Sequence, residues 1–204
     1  MYSTSTTTAS PARRRRTLAA ALVLAVVLLV AMVGAGWVAA TTQRLDPALA
    51  ALIPADQPGE TDGFIDDAAP ISPFDDDLPA IARLRPALRT AMQAAATDAQ
   101  ADDVSFVVTN GWRSERYQQA LFDDAVRTYG SEEAASRLVA PVTTSRHVSG
   151  DAIDIGHTDA DNWLKRHGAD YGLCQIYANE IWHFELATTP GGECPTLLPD
   201  ASWG

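Results

Sequence analysis

Basic side chains, histidine and cysteine are all scarce in this chain of 204 residues, and each shortage narrows what the protein does. Fifteen lysines and arginines stand against 26 aspartates and glutamates, and four of the fifteen sit together at Arg13 to Arg16. The first 40 residues hold no acid, so beyond them 11 basic groups face 26 acidic ones and the formal charge is −15. Such a surface repels phosphate backbones and anionic headgroups, which excludes nucleic acid as a partner. Of the four histidines, none belongs to a helical H-E-x-x-H pattern. No segment of the chain repeats.

The one long apolar run is at the front. Residues 1–16 read as a basic tail and residues 17–42 as an uncharged Ala, Val and Leu segment, long enough to cross a bilayer, which takes about 20 residues. The arginines before the run place the tail in the cytoplasm and everything after it outside. The expectation is a single-pass signal anchor in the cell membrane; the alternative is secretion after signal cleavage at Val38-Ala39-Ala40. The run contains no cysteine, so the chain is not a lipoprotein. Residues 43–76 are rich in Asp, Pro and Gly without a sustained hydrophobic period, and read as an acidic linker with a short helix at Pro47 to Leu52. Residues 77–204 are enough for one hydrophobic core.

Within that domain two stretches carry chemistry. Ser145-Arg-His-Val-Ser-Gly-Asp-Ala-Ile-Asp154 supplies His147 and Asp154, and Glu180-Ile-Trp-His183 supplies a second histidine and a second acid. Two imidazoles and a carboxylate leave a tetrahedral Zn²⁺ one open position for water. The ligands come from strands: Ile153 and Ile155 alternate with Ala152 and Asp154, while Trp182, Phe184 and Leu186 alternate with His183 and Glu185. Neighbouring strands would put Asp154 and His183 on one face, with His147 reaching them from a loop that turns at Gly150. Glu180, three residues before His183, would point the wrong way in a regular strand, so it is placed at a bend just ahead of one. Zinc acidifies bound water and polarises a carbonyl, and Glu180 is the candidate general base; Glu185 is the next. Arg113 offers a planar fork for a substrate carboxylate or an oxyanion.

These residues resemble the zinc D-alanyl-D-alanine carboxypeptidases of the VanY type, which share a fold with the hedgehog signalling domain. The pattern S-x-H-x-x-G-x-A-x-D is complete at Ser145, His147, Gly150, Ala152 and Asp154; E-P-W-H is met by Glu180, Trp182 and His183, with Ile181 in place of proline. An S-G-Y-R-S element is matched by Asn110-Gly111-Trp112-Arg113-Ser114 with Gln118, where Asn110 and Trp112 depart from the common residues. The resemblance covers about residues 80 to 187. It implies His147, Asp154 and His183 as zinc ligands, Glu180 and Arg113 as catalytic residues, and Arg113, Ser114, Gln118 and Ser145 as substrate contacts. It also implies removal of the terminal D-Ala from a peptidoglycan stem peptide or its precursor. The rivals are an L,D-peptidase or wall-peptide endopeptidase on the same site, and a non-catalytic zinc-dependent binding module.

The expected fold is α+β, a small mostly antiparallel sheet with helices packed against it, as in the hedgehog/DD-peptidase fold. Helical spacing covers Pro86 to about Gln100, Ser114 onward through Val126, Ser131 to Leu138 and Asp159 to Gly168, with a strand at Val104 to Thr109. Cys174 and Cys194 flank the Glu180 to His183 element, and in an exported chain two cysteines read first as a disulfide; free thiols or metal ligands are the alternatives.

Overall fold

The computed structural model describes residues 57–204. The basic tail, the apolar run at 17–42 and the short helix at Pro47 to Leu52 lie outside the described residues. Among the described residues no helix is long and apolar enough to cross a membrane.

Four short strands among the described residues form one antiparallel sheet: β1 (Val107–Asn110), β2 (Ala152–Gly156), β3 (Leu173–Gln175) and β4 (His183–Leu186), in the order β1-β2-β4-β3. Among the described residues the α-helices are α1 (Pro79–Ala82), α2 (Pro86–Ala99), α3 (Glu115–Tyr129), α4 (Glu132–Ser136), α5 (Arg146–Ser149) and α6 (Thr158–His167). Proline opens α2 at a position where its missing N–H costs nothing, and Ser114 caps α3 by accepting the Tyr117 N–H at 3.1 Å. The three-residue strand β3 was not resolved by periodicity, which merged it with the run into the last strand.

One face of the sheet makes the core. Leu88, Met92, Ala95 and Ala99 on one side of α2 meet Ile153, Ile155, Phe184 and Leu173, with Trp163 and Leu164 of α6 closing the layer. The spacing of four, three and four residues is one helix face, and each large side chain buried there contributes about 1.5–3 kcal/mol. The alternation expected for β2 therefore holds, Ile153 and Ile155 being turned to this core. It fails for Trp182, which lies in the turn before β4 rather than in the strand and is 43% exposed.

Residues 57–76 correct the expected linker. They pack onto the domain: Ile65 enters the core cluster, and Ile71 pairs with Val108 through N–H to O contacts of 3.2 and 2.8 Å. The Asp62 carboxylate accepts from Ser114 Oγ at 2.8 Å and from the Gly59 N–H at 3.0 Å, and pairs with Arg116. Gly63 has φ +82°, and a Cβ there would lie 1.9 Å from the Trp112 carbonyl oxygen. Such order comes from a handful of anchors, which leave no period for a sequence pattern to show.

Candidate metal centre

Asp154 and His183 face each other directly across β2 and β4, on the side away from the core. His147 reaches them from α5, a single helical turn, where a loop was expected. Gly150 ends that turn with φ +75°, and a Cβ there would meet the Arg83 carbonyl oxygen at 2.6 Å. Only glycine suits both the left-handed angle and the approach.

Hydrogen bonds around the rim orient the donor atoms. His147 Nδ1 lies 2.8 Å from the Gly111 carbonyl oxygen, which only accepts, so the N–H is on Nδ1 and Nε2 keeps its lone pair. His183 Nε2 lies 3.1 Å from Glu185 Oε1, which turns Nδ1 inward in the same way. Glu185 Oε2 is 3.7 Å from Arg146 Nε. Asp154 Oδ1 then sits 3.4 Å from His147 Nε2 and 3.2 Å from His183 Nδ1, and the donor atoms of all three residues lie within 4.8 Å of one another. For ligands about 2.0–2.1 Å from a tetrahedral cation, the donor atoms are about 3.3 Å apart. The three residues fit such an ion.

Electrostatics point the same way. Burial works against charge on Asp154, yet His147 and His183 outweigh it and hold the carboxyl well below its usual range. His183 is likewise opposed by burial, but Asp154 and Glu185 push it up to about 9. His147 moves down through burial and the Arg113 charge. The carboxylates around His183 thus favour positive charge at its ring, a proton or a cation in its place.

Glu180 stands beside the trio, its Oε2 3.7 Å from His183 Nδ1 and its buried Oε1 without a partner. A turn closed by the His183 N–H on the Glu180 carbonyl at 3.3 Å brings the two residues together, which explains how an i, i+3 pair shares a site next to a strand. Burial raises its carboxyl to about 7, against the pull of His183.

His147, Asp154, Glu180 and His183 line one cavity of about 460 Å³, together with Arg113, Tyr117, Ser145, Tyr177 and Trp182. Ser145 Oγ is buried with no partner. The Arg113 fork is not free: one nitrogen donates to Gln118 Oε1 at 3.1 Å, the other to Asp154 Oδ2 at 3.4 Å, and Nε is unpartnered. The Gln118 amide is used at both ends, its nitrogen donating to the Ala140 carbonyl at 2.7 Å, so it orients Arg113. Ser114 is occupied as a helix cap and by Asp62, and does not line the cavity. Tyr177, whose ring centroid is 4.9 Å from that of His183, went unnoticed in the sequence because it lies in no motif. Glu185 was readable, since it alternates onto the face of His183.

The profile of D-alanyl-D-alanine carboxypeptidases of the VanY type matches residues 81–188. The chain belongs to this family. Its solved neighbours include a vancomycin-resistance D,D-pentapeptidase VanY in complex with Zn(II), 24% identical, covering 60% of this chain and 85% of that one, with a TM-score of 0.48. An L,D-carboxypeptidase DacB from Streptococcus pneumoniae is 25% identical over 61% of this chain and 73% of that one, with a TM-score of 0.42. The D,D-dipeptidase VanXYg, bound to a D-Ala-D-Ala phosphinate analogue, is 26% identical over 59% of this chain and 56% of that one, with a TM-score of 0.49. No curated protein matches the chain. A second chemical feature of this VanY-type domain is a bond between Cys174 and Cys194, with Cα atoms 5.7 Å apart, which ties β3 to the segment after β4.

Proposed function

We propose that the protein is a zinc-dependent D,D-carboxypeptidase that removes the terminal D-alanine from peptidoglycan stem peptides outside the cytoplasm. The observation that carries the reading is the convergence of three inward lone-pair donors, on His147, Asp154 and His183, beside the unpartnered oxygen of Glu180. When bound there, zinc supplies a Lewis acid that acidifies water and polarises a carbonyl.

The protein's own groups do the rest. Glu180 takes a proton from the water whose oxygen adds to the scissile carbonyl carbon, and returns it to the amine as the C–N bond breaks. The products are the shortened peptide and free D-alanine. Burial raises this carboxyl to about 7, and the charge of a bound cation would draw it back toward the proton-accepting form that the first transfer needs. Arg113 holds Asp154 by its second oxygen and adds fixed positive charge to the cavity wall, which favours an oxyanion. Ser145, with its hydroxyl unspent, donates to the substrate carboxylate. Of the two roles that the sequence left open for Arg113, carboxylate or oxyanion, this leaves it the second.

Location is supported by the arginines and uncharged run ahead of the domain, which read as a cytoplasmic tail and anchor, and by a disulfide, the mark of an oxidising compartment. The zinc-loaded chain incubated with a synthetic pentapeptide ending in D-Ala-D-Ala should release one D-alanine, read by mass. An untouched pentapeptide overturns the reading, and cleavage only of the tetrapeptide would make the enzyme an L,D-peptidase.

A further inference from the structure

We propose that Asp67 is a subsite for a primary ammonium group of the peptide substrate, placed in the cavity by the segment that precedes the family-matched region. The inference rests on reading the cavity as a peptide site. Asp67 lines the same cavity as Arg113, His147 and Glu180, yet lies before residue 81, where the family profile begins. Its side chain is solvent-exposed, and its carboxylate makes no hydrogen bond or ion pair among the described residues.

Position distinguishes this acid from the many others on the surface. The backbone is pinned on both sides of it: ahead by Asp62 on Ser114, by Phe64 stacked edge-on against Tyr117 at 5.9 Å and by Ile65 in the core, and behind by Ile71 on Val108. Its neighbour Tyr117 also lines the cavity and carries no charge at neutral pH, so it leaves the Asp67 charge uncompensated. The cations on the wall are already engaged, Arg113 with Gln118 and Asp154, Arg146 with Glu185. One cavity therefore holds a metal site and an unspent hydroxyl at one place and an unspent negative charge at another. A ligand complementary to both carries a carboxylate and, some distance away, a cation that donates hydrogen bonds. In a peptide that cation is an ammonium, either on a lysine-like side chain or at a free amino terminus.

The test separates these sources and separates binding from chemistry. Full-length, zinc-loaded protein carrying Glu180→Gln is titrated by calorimetry with lysine-containing peptides ending in D-Ala-D-Ala, acetylated on the side chain, on the amino terminus, or on neither. The titrations are repeated with Asp67→Asn added. Blocking the recognised ammonium should weaken binding about threefold to fivefold, the size of one exposed charge pair, and should have no further effect once Asp67 is replaced. Whichever acetylation shows this pattern identifies the ammonium. Acetylation that changes nothing, a loss of equal size with and without Asp67, or an absence of binding by every peptide overturns the subsite. Wild-type enzyme that binds the peptides in this Asp67-dependent way but never cleaves them would sink the peptidase reading and leave the subsite standing; cleavage with no dependence on Asp67 does the reverse.

Discussion

The two faces of strands β2 and β4 obey opposite rules. On one, Ile153, Ile155 and Phe184 are buried in the apolar cluster that α2 and α6 complete. On the other, Asp154 and His183 are just as buried, but their donor atoms converge on each other, and Glu180 Oε1 and Ser145 Oγ end without partners. Burying polar atoms unpaired costs stability, so a fold retains them where something else completes them. The core face is finished by folding alone, whereas the site face leaves donor atoms and polar groups open, as the proposed cation and peptide require.

If that contrast is sound, changes on the two faces should have separable effects. Replacing both His147 and His183 by Ala should abolish stoichiometric zinc in the purified protein, by metal analysis, while far-ultraviolet circular dichroism stays native. Full occupancy would dissolve the distinction. Met92→Ala, on the core face, should cost about 2–5 kcal/mol in denaturant unfolding but leave one zinc per folded chain. Glu180→Gln should keep zinc and lose at least about 10² in turnover, the lower end for a general base, with no loss of stability because a neutral amide suits the buried position. Near-normal turnover would remove Glu180 from the base role, and Glu185, turned to the far nitrogen of His183, is not placed to take it over. The smallest effect sharpens the boundary between ligand and support: Glu185→Ala should weaken zinc binding about tenfold in a chelator competition, since it frees the His183 ring without removing a ligand.

How much of this was legible in the sequence depended on range. Motif spacing marked His147, Asp154, Glu180 and His183, and alternation placed Asp154 and His183 on one face, because both signals are local. Helix boundaries near Gln100 and Ser114 were readable for the same reason. Contacts that depend on distant chain were not. The Arg113 fork looked free until Asp154, 41 residues on, was seen to occupy half of it. Ser114 looked like a substrate contact until Asp62, 52 residues earlier, claimed its hydroxyl. Asp62 itself belonged to a stretch whose composition resembles disorder.

That stretch has one more consequence. With β1 at the border of the sheet, Val108 would present an open N–H and C=O to any passing strand, and such edges invite pairing between copies. Ile71 occupies that position with two hydrogen bonds. The twenty residues that resembled a tether thus serve as an edge guard, and a chain trimmed to the family-matched segment would trade a protected border for a surface prone to self-association.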